Sequence, residues 1–157
     1  MNFKNSEMFD VAGNVGETDT FVMNGTSAND RYEISMHASG TPGDRFAELF
    51  APDSTRLLAL IDARNVGQAK FKGLAGNDLF HIMASPFGST DERTVFVDGG
   101  DQIDIRGDMI SLEHVGAEMP GVNQQAKQGD PDAGSISVEF LSHQFDIDFD
   151  GMETVNV

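Results

Sequence analysis

Gly73-Leu-Ala-Gly76-Asn77-Asp78-Leu-Phe80-His-Ile82 joins three signals in ten residues: a glycine turn, an acid, and an alternating apolar run. The alternation after Asp78 predicts a short strand with every second side chain buried. The same phrase recurs as Asp19-Thr-Phe21-Val-Met23, Asp30-Arg-Tyr32-Glu-Ile34, Asp101-Gln-Ile103-Asp-Ile105, Asp108-Met-Ile110-Ser-Leu112 and Glu153-Thr-Val155-Asn-Val157. Ala28-Asn29, Gly76-Asn77, Gly99-Gly100, Gly107 and Gly151 stand just before the acids and favour turns. A turn and strand repeated along one chain predicts a solenoid whose units stack to share a core. Phe21, Tyr32, Phe80, Ile103, Ile110 and Val155 should enter that core with Met23, Ile34, Ile82, Ile105, Leu112 and Val157.

The spacing of the acids carries the same message. Asp30 to Asp78 is 48 residues, Asp78 to Asp101 is 23, and Asp108 to Glu153 is 45. These are near multiples of one length, which suits a β-helical turn of two or three strands. The expected fold is therefore all-β, a right-handed parallel β-helix or related β-solenoid. A β-sandwich is the alternative, because short strands and turns fit both.

With 157 residues the chain is long enough for one domain with a real core, and the reading is a single domain over 1–157. Segment 54–65 reads as strand, with a helix capped by Ser54 as its rival. Residues 136–140 and 145–149 alternate as strands. Segment 116–134 has no apolar period and holds Pro120 and Pro131, so it reads as a polar loop excursion, as does the shorter 38–45.

The net charge is -16, with 26 acids against 10 bases. Such a field repels nucleic acid and anionic membrane and attracts cations; it also keeps a chain soluble. No stretch approaches a transmembrane span, so no membrane insertion is expected. There is no Cys, which removes disulfides and thiolate metal sites and hints at export. The start, Met1-Asn-Phe-Lys-Asn-Ser-Glu7, lacks an apolar signal region, and the end at Val155-Asn-Val157 falls in mid-strand. A fragment of a longer parent, or a strand completed by a neighbour, is the expectation from that end.

Calcium takes six to eight oxygens from carboxylates and carbonyls on adaptable loops. The acids stacked on one edge of the fold would offer them. Asp98, Asp101, Asp104 and Asp108 around Gly99-Gly100 and Gly107 form the densest cluster, followed by Asn77 with Asp78, and Asp30 beside Asn29. Asn and Asp also hydrogen-bond their own turns, so a purely structural role stands beside the metal reading. Asp146, Asp148 and Asp150 read as a solvated strand face. His37, His81, His114 and His143 lack the spacing of a metal motif and read as surface residues. No catalytic motif occurs. Lys70 and Lys72 around Phe71 read as the exposed side of an edge strand.

The stretch 73–82 resembles the glycine-rich repeat of haemolysin-type (RTX) calcium-binding proteins, whose phrase is Gly-Gly-x-Gly-x-Asp-x-apolar-x. Gly73, Gly76, Asp78 and Phe80 fit it, and Leu74 stands where the family has its second Gly. Val97-Asp98-Gly99-Gly100-Asp101-Gln-Ile103 and Gly25-Thr-Ser-Ala28-Asn29-Asp30-Arg-Tyr32 fit in part. The ending Phe149-Asp-Gly151-Met-Glu153-Thr-Val155-Asn-Val157 is similar to a phrase of long bacterial surface proteins. The resemblance implies bound Ca2+ and a bacterial extracellular or cell-surface setting. The expected function is thus a non-enzymatic calcium-binding repeat module with a structural or adhesive role. Its partners would be polysaccharide, neighbouring copies or flanking repeats. The alternatives are a carbohydrate-active β-helix domain acting on acidic polysaccharide, with Arg56, Arg64, Lys70, Lys72 and Asp62 as its candidate residues, and a self-assembling structural subunit.

Overall fold

Alternation is realised strand by strand in the structure, a computed structural model that describes residues 7–12, 19–36, 47–50, 57–64, 67–84, 94–102, 107–141 and 144–157. Every regular element among them is a strand. The first seven are β1 (Glu7–Ala12), β2 (Thr20–Asn24), β3 (Arg31–Ser35), β4 (Ala47–Phe50), β5 (Leu57–Arg64), β6 (Gln68–Lys72) and β7 (Ala75–Gly76). They are followed by β8 (Leu79–Ala84), β9 (Thr94–Asp98), β10 (Asp101–Gln102) and β11 (Met109–His114). Last come β12 (Gly121–Lys127), β13 (Asp130–Glu139), β14 (Gln144–Asp150) and β15 (Thr154–Asn156). Segment 57–64 is strand, as its neighbours led us to expect; 38–45 lies outside the described residues.

The strands form a seven-stranded sheet in the order β1-β5-β4-β3-β8-β11-β15 and a six-stranded sheet in the order β12-β13-β14-β9-β6-β2. β7 and β10 make a small parallel ladder of their own. The parallel β-helix expected from the repeat is not this architecture. Both main sheets are mixed: β4 runs antiparallel to β3 and β5, and β13 runs antiparallel to β12 and β14. Among the described residues neither sheet closes on itself. Two mixed sheets on one core are compatible with the sandwich alternative. The reversals fall at β4, between β3 and β5 in its sheet, and at β13, between β12 and β14 in the other.

Over the turns that end at Asp30, Asp78, Asp108 and Glu153, the chain crosses from the six-stranded to the seven-stranded sheet. β2 leads to β3, β6 to β8, β9 to β11 and β14 to β15, and strands alike in position pair in parallel. Register follows from these ladders: Arg31, Leu79, Met109 and Thr154 lie side by side. The acid before each is therefore stacked on the next.

One core lies between the sheets. Tyr32, Ile34, Phe80, Ile82 and Ile110 face Phe71, Val95, Val97 and Ile147, all fully buried. Tyr32 stacks on Phe80 with ring centroids 4.7 Å apart, and Phe71 meets Tyr32 edge-on at 5.9 Å. Of the predicted core set, Met23 is also buried, and Phe21, Leu112 and Val155 pack against the cluster. Val157 is 58% exposed, and Ile103 and Ile105 lie outside the described residues. Asp146, Asp148 and Asp150 are exposed on the outer face of β14. β6 is an interior strand, so Lys70 and Lys72 guard no edge: Lys72 pairs with Asp98 at 3.0 Å and Lys70 sits over the Phe96 ring.

Residues 116–134 are not a loop excursion for most of their length. β12 and β13 form an antiparallel ribbon, and its tip at Gly129 has the left-handed backbone (φ 85°) that suits glycine. All of β12 is exposed, which explains the missing apolar period: a strand wet on both faces has nothing to alternate.

Candidate functional site

The stacked acids form a continuous hydrogen-bonded ladder. Asp30 N–H donates to Asp78 Oδ1 at 2.6 Å, and Asp78 N–H donates to Asp108 Oδ1 at 2.6 Å. Asp108 N–H donates to Glu153 Oε2. The backbone runs alongside: Leu79 N–H donates to the Asp30 carbonyl and Met109 N–H to the Asp78 carbonyl, each at 2.9 Å. Asn77 N–H donates to Asn29 Oδ1 at 2.9 Å, adding a second rail. Each turn is thus tied to the next through an acid that serves as a side-chain acceptor.

Burial makes this ladder unusual. Asp30 is 3% exposed, Asp78 2% and Asp108 0%. Each carboxylate uses one oxygen on a backbone N–H, and a second is left over. Asp30 Oδ1, Asp78 Oδ2, Asp108 Oδ2 and Glu153 Oε1 are buried with no hydrogen-bond partner. Such orphan acceptors are costly unless something neutralises them.

Glycines make the room. A Cβ on Gly73 would collide with Asp78 Oδ2 and with the Gly99 carbonyl. A Cβ on Gly99 would collide with Asp108 Oδ2 and the Gly151 carbonyl, and one on Gly25 with Asp30 Oδ2. A carboxylate oxygen and a carbonyl oxygen of the following turn therefore converge over each of Gly73 and Gly99. The donor set is oxygen only, the chemistry of a hard cation. Leu74, at φ 76°, holds a left-handed backbone that side chains rarely adopt; Gly100, its register neighbour, has φ 86°.

The electrostatics follow from burial and like charge. Burial first, then the charges of Asp108 and Asp30, push the Asp78 carboxyl up to about 7; the Asp30 N–H partly offsets this. Burial raises Asp108 too, with Glu153 and Asp98 adding repulsion against the relief from the Asp78 N–H. Asp30 is raised by burial and eased by Thr26, whose N–H reaches Asp30 Oδ2 at 2.5 Å. Tyr32 is raised by burial and by Asp30 and Asp78, and it donates its hydroxyl to the Lys72 carbonyl at 2.7 Å. The ladder can thus take up positive charge, as a proton or as a cation.

The predicted ligands divide. Asp30, Asp78 and Asp108 come together on the ladder, with Asn77 beside it. Asp98 ends β9 and is paired with Lys72; Asp101 is exposed on β10; Asp104 lies outside the described residues. The densest cluster in sequence is therefore not the one the fold assembles. Among the described residues, no three acidic or histidine side chains converge closely enough to hold a metal by themselves. Any ion would draw on the glycine carbonyls and on water as well.

Glu153 and the glycine floor were not among the predicted ligands, although Glu153 opens one of the six phrases and Gly25 and Gly73 each stand five residues before an acid. His81 faces away from the core, with Nδ1 at 2.5 Å from Glu33 and Nε2 at 3.0 Å from Glu113. His114 is exposed, and His37 and His143 lie outside the described residues. The same holds for Arg56 and for the side chains of Asp62 and Arg64, which the carbohydrate-active alternative needs.

Compared with known proteins, the chain matches no family model, no curated protein and no solved structure. Among the described residues no helix is long and apolar enough to cross a membrane.

Proposed function

We propose that this chain is a non-enzymatic structural module of a bacterial extracellular or surface protein, stiffened by calcium at its stacked acidic turns. One observation carries the reading: three buried aspartates in a row, each with an oxygen that lacks a partner, two of them converging with glycine carbonyls. A divalent ion relieves the repulsion and meets the orphan acceptors together. The -16 charge concentrates such ions at the surface. Adhesion, through polysaccharide or adjoining repeats, is the role such a module would serve.

A calcium titration after chelation, at fixed ionic strength, tests this. Binding to the folded chain alone raises stability by about 2.7 kcal/mol at a hundredfold excess over Kd. The melting temperature should rise with millimolar Ca2+, and Asp108→Asn should blunt the rise while Asp132→Asn leaves it. Identical melting in calcium and chelator would mean that the turns are held by hydrogen bonds alone.

A further inference from the structure

Of the seven large exposed apolar side chains among the described residues, Met119, Val122 and Leu141 lie at the root of the β12–β13 ribbon. A cleft of about 590 Å³ opens there, lined by Glu118, Met119, Gly121, Glu139, Phe140 and Leu141 among others. Met119 is 75% exposed and Leu141 96%, so the apolar surface faces water. Concentrated exposure of this kind marks a contact surface.

β12 forms the outer edge of the six-stranded sheet, and among the described residues β13 alone pairs with it. Its free side offers unpaired backbone groups. Natural edges are guarded by charge or proline. Here Pro120 and Lys127 stand at the two ends, and Val122-Asn-Gln-Gln-Ala126 between them carries no charge. This is a strand-length gap in the protection.

Charge decides what fits. Both charged residues of the cleft are acids. Glu118 spends Oε1 on the Leu141 N–H at 2.7 Å, and Glu139 is exposed. Among the described residues no base lines the cleft, and Lys127 at the far end is drawn toward Asp130. A second copy of this chain would bring another -16 to the contact, which argues against self-pairing.

We propose that the edge of β12 and the adjoining cleft dock an extended peptide in which basic and apolar side chains alternate, added to the sheet as a further strand. Backbone hydrogen bonds along Val122–Ala126 give register, an apolar side chain fills the space between Met119 and Leu141, and the acids Glu118 and Glu139 draw the peptide's positive charge toward this edge.

The probe is the peptide Lys-Val-Lys-Leu-Lys-Val-Lys, titrated into the labelled full chain in chelator at physiological salt, so that calcium plays no part. Amide shifts confined to residues 119–126 and 139–141 are expected. Glu139→Lys and Val122→Asp should each weaken binding at least tenfold, with the fold intact by its other amide signals. Lys-Gly-Lys-Gly-Lys-Gly-Lys, of equal charge, should bind at least tenfold more weakly. Equal binding of the glycine peptide, or shifts spread over the acidic surface, would overturn the proposal. So would concentration-dependent pairing of β12 with itself in place of peptide binding.

Discussion

The stacked turns and the β12–β13 ribbon are both ladders of strands, yet they are held by different means. In the stack, strands pair in parallel, one face is buried in a shared core, and carboxylates tie turn to turn from the side. In the ribbon, an antiparallel pair projects with every residue of β12 exposed. Hydrogen bonding alone is worth little net, because water competes for the same groups. Burial is what separates the two regions. The stack should resist change at its wet edge and fail at its core, whereas β12, the ribbon's outer strand, should be indifferent to single changes.

The largest effect is therefore expected at Phe80. Its ring is fully buried and stacks on Tyr32. Phe80→Ala should cost roughly 3–5 kcal/mol in a denaturant melt. A loss under about 1 kcal/mol would mean that the two sheets do not share the core described here.

Next comes Asp78, where the comparison can be sharpened by pH. Its folded carboxyl titrates near 7, above the ordinary 3.8. The folded state therefore holds the proton more tightly than the unfolded chain. That contribution is complete below about pH 4 and is lost as the pH rises through 7, on the order of 3 kcal/mol. In chelator, stability should fall between about pH 4 and 7.5, and Asp78→Asn should flatten that fall. Calcium should restore the wild type above pH 7 and do less for the variant. Parallel pH profiles for the two proteins would show that Asp78 is ionised at neutral pH and that its second oxygen is satisfied.

These two positions show what sequence could and could not reveal. Phe80 and Asp78 were legible because a buried side chain and a turn acid leave local marks: a period of two, and a glycine a few residues ahead. How strands pair leaves no such mark. The period is the same for parallel and antiparallel partners, so the alternation supported strands without deciding how they pair. Membership of the ladder is equally non-local. Asp19 and Asp101 open the same phrase as Asp30, yet Asp19 precedes a strand of the other sheet and Asp101 sits exposed on the short strand β10, off the ladder. Glu153 joins because β15 pairs with β11, a relation between residues more than forty apart. β12 was illegible for the opposite reason: with no buried face it imposes no pattern on residues 121–127.

The smallest effect is expected in that ribbon. Gln124 lies opposite Ile136, in the middle of a strand exposed throughout. Gln124→Ala should change stability by no more than about 0.5 kcal/mol, because no buried contact is lost and water replaces the amide. Dynamics should show the same contrast. Opening the ribbon exposes little apolar surface, while opening β8 exposes Phe80 and Ile82 and breaks pairing on both sides. Amides of β12 should therefore exchange with solvent through local opening, far faster than those of β8, whose protection should approach the global stability. Protease should enter at the Gly129 tip before any core strand is cut. If β12 proved as protected as β8 in the isolated chain, its edge would already be covered in solution, and the ribbon would belong to the stabilised part of the fold.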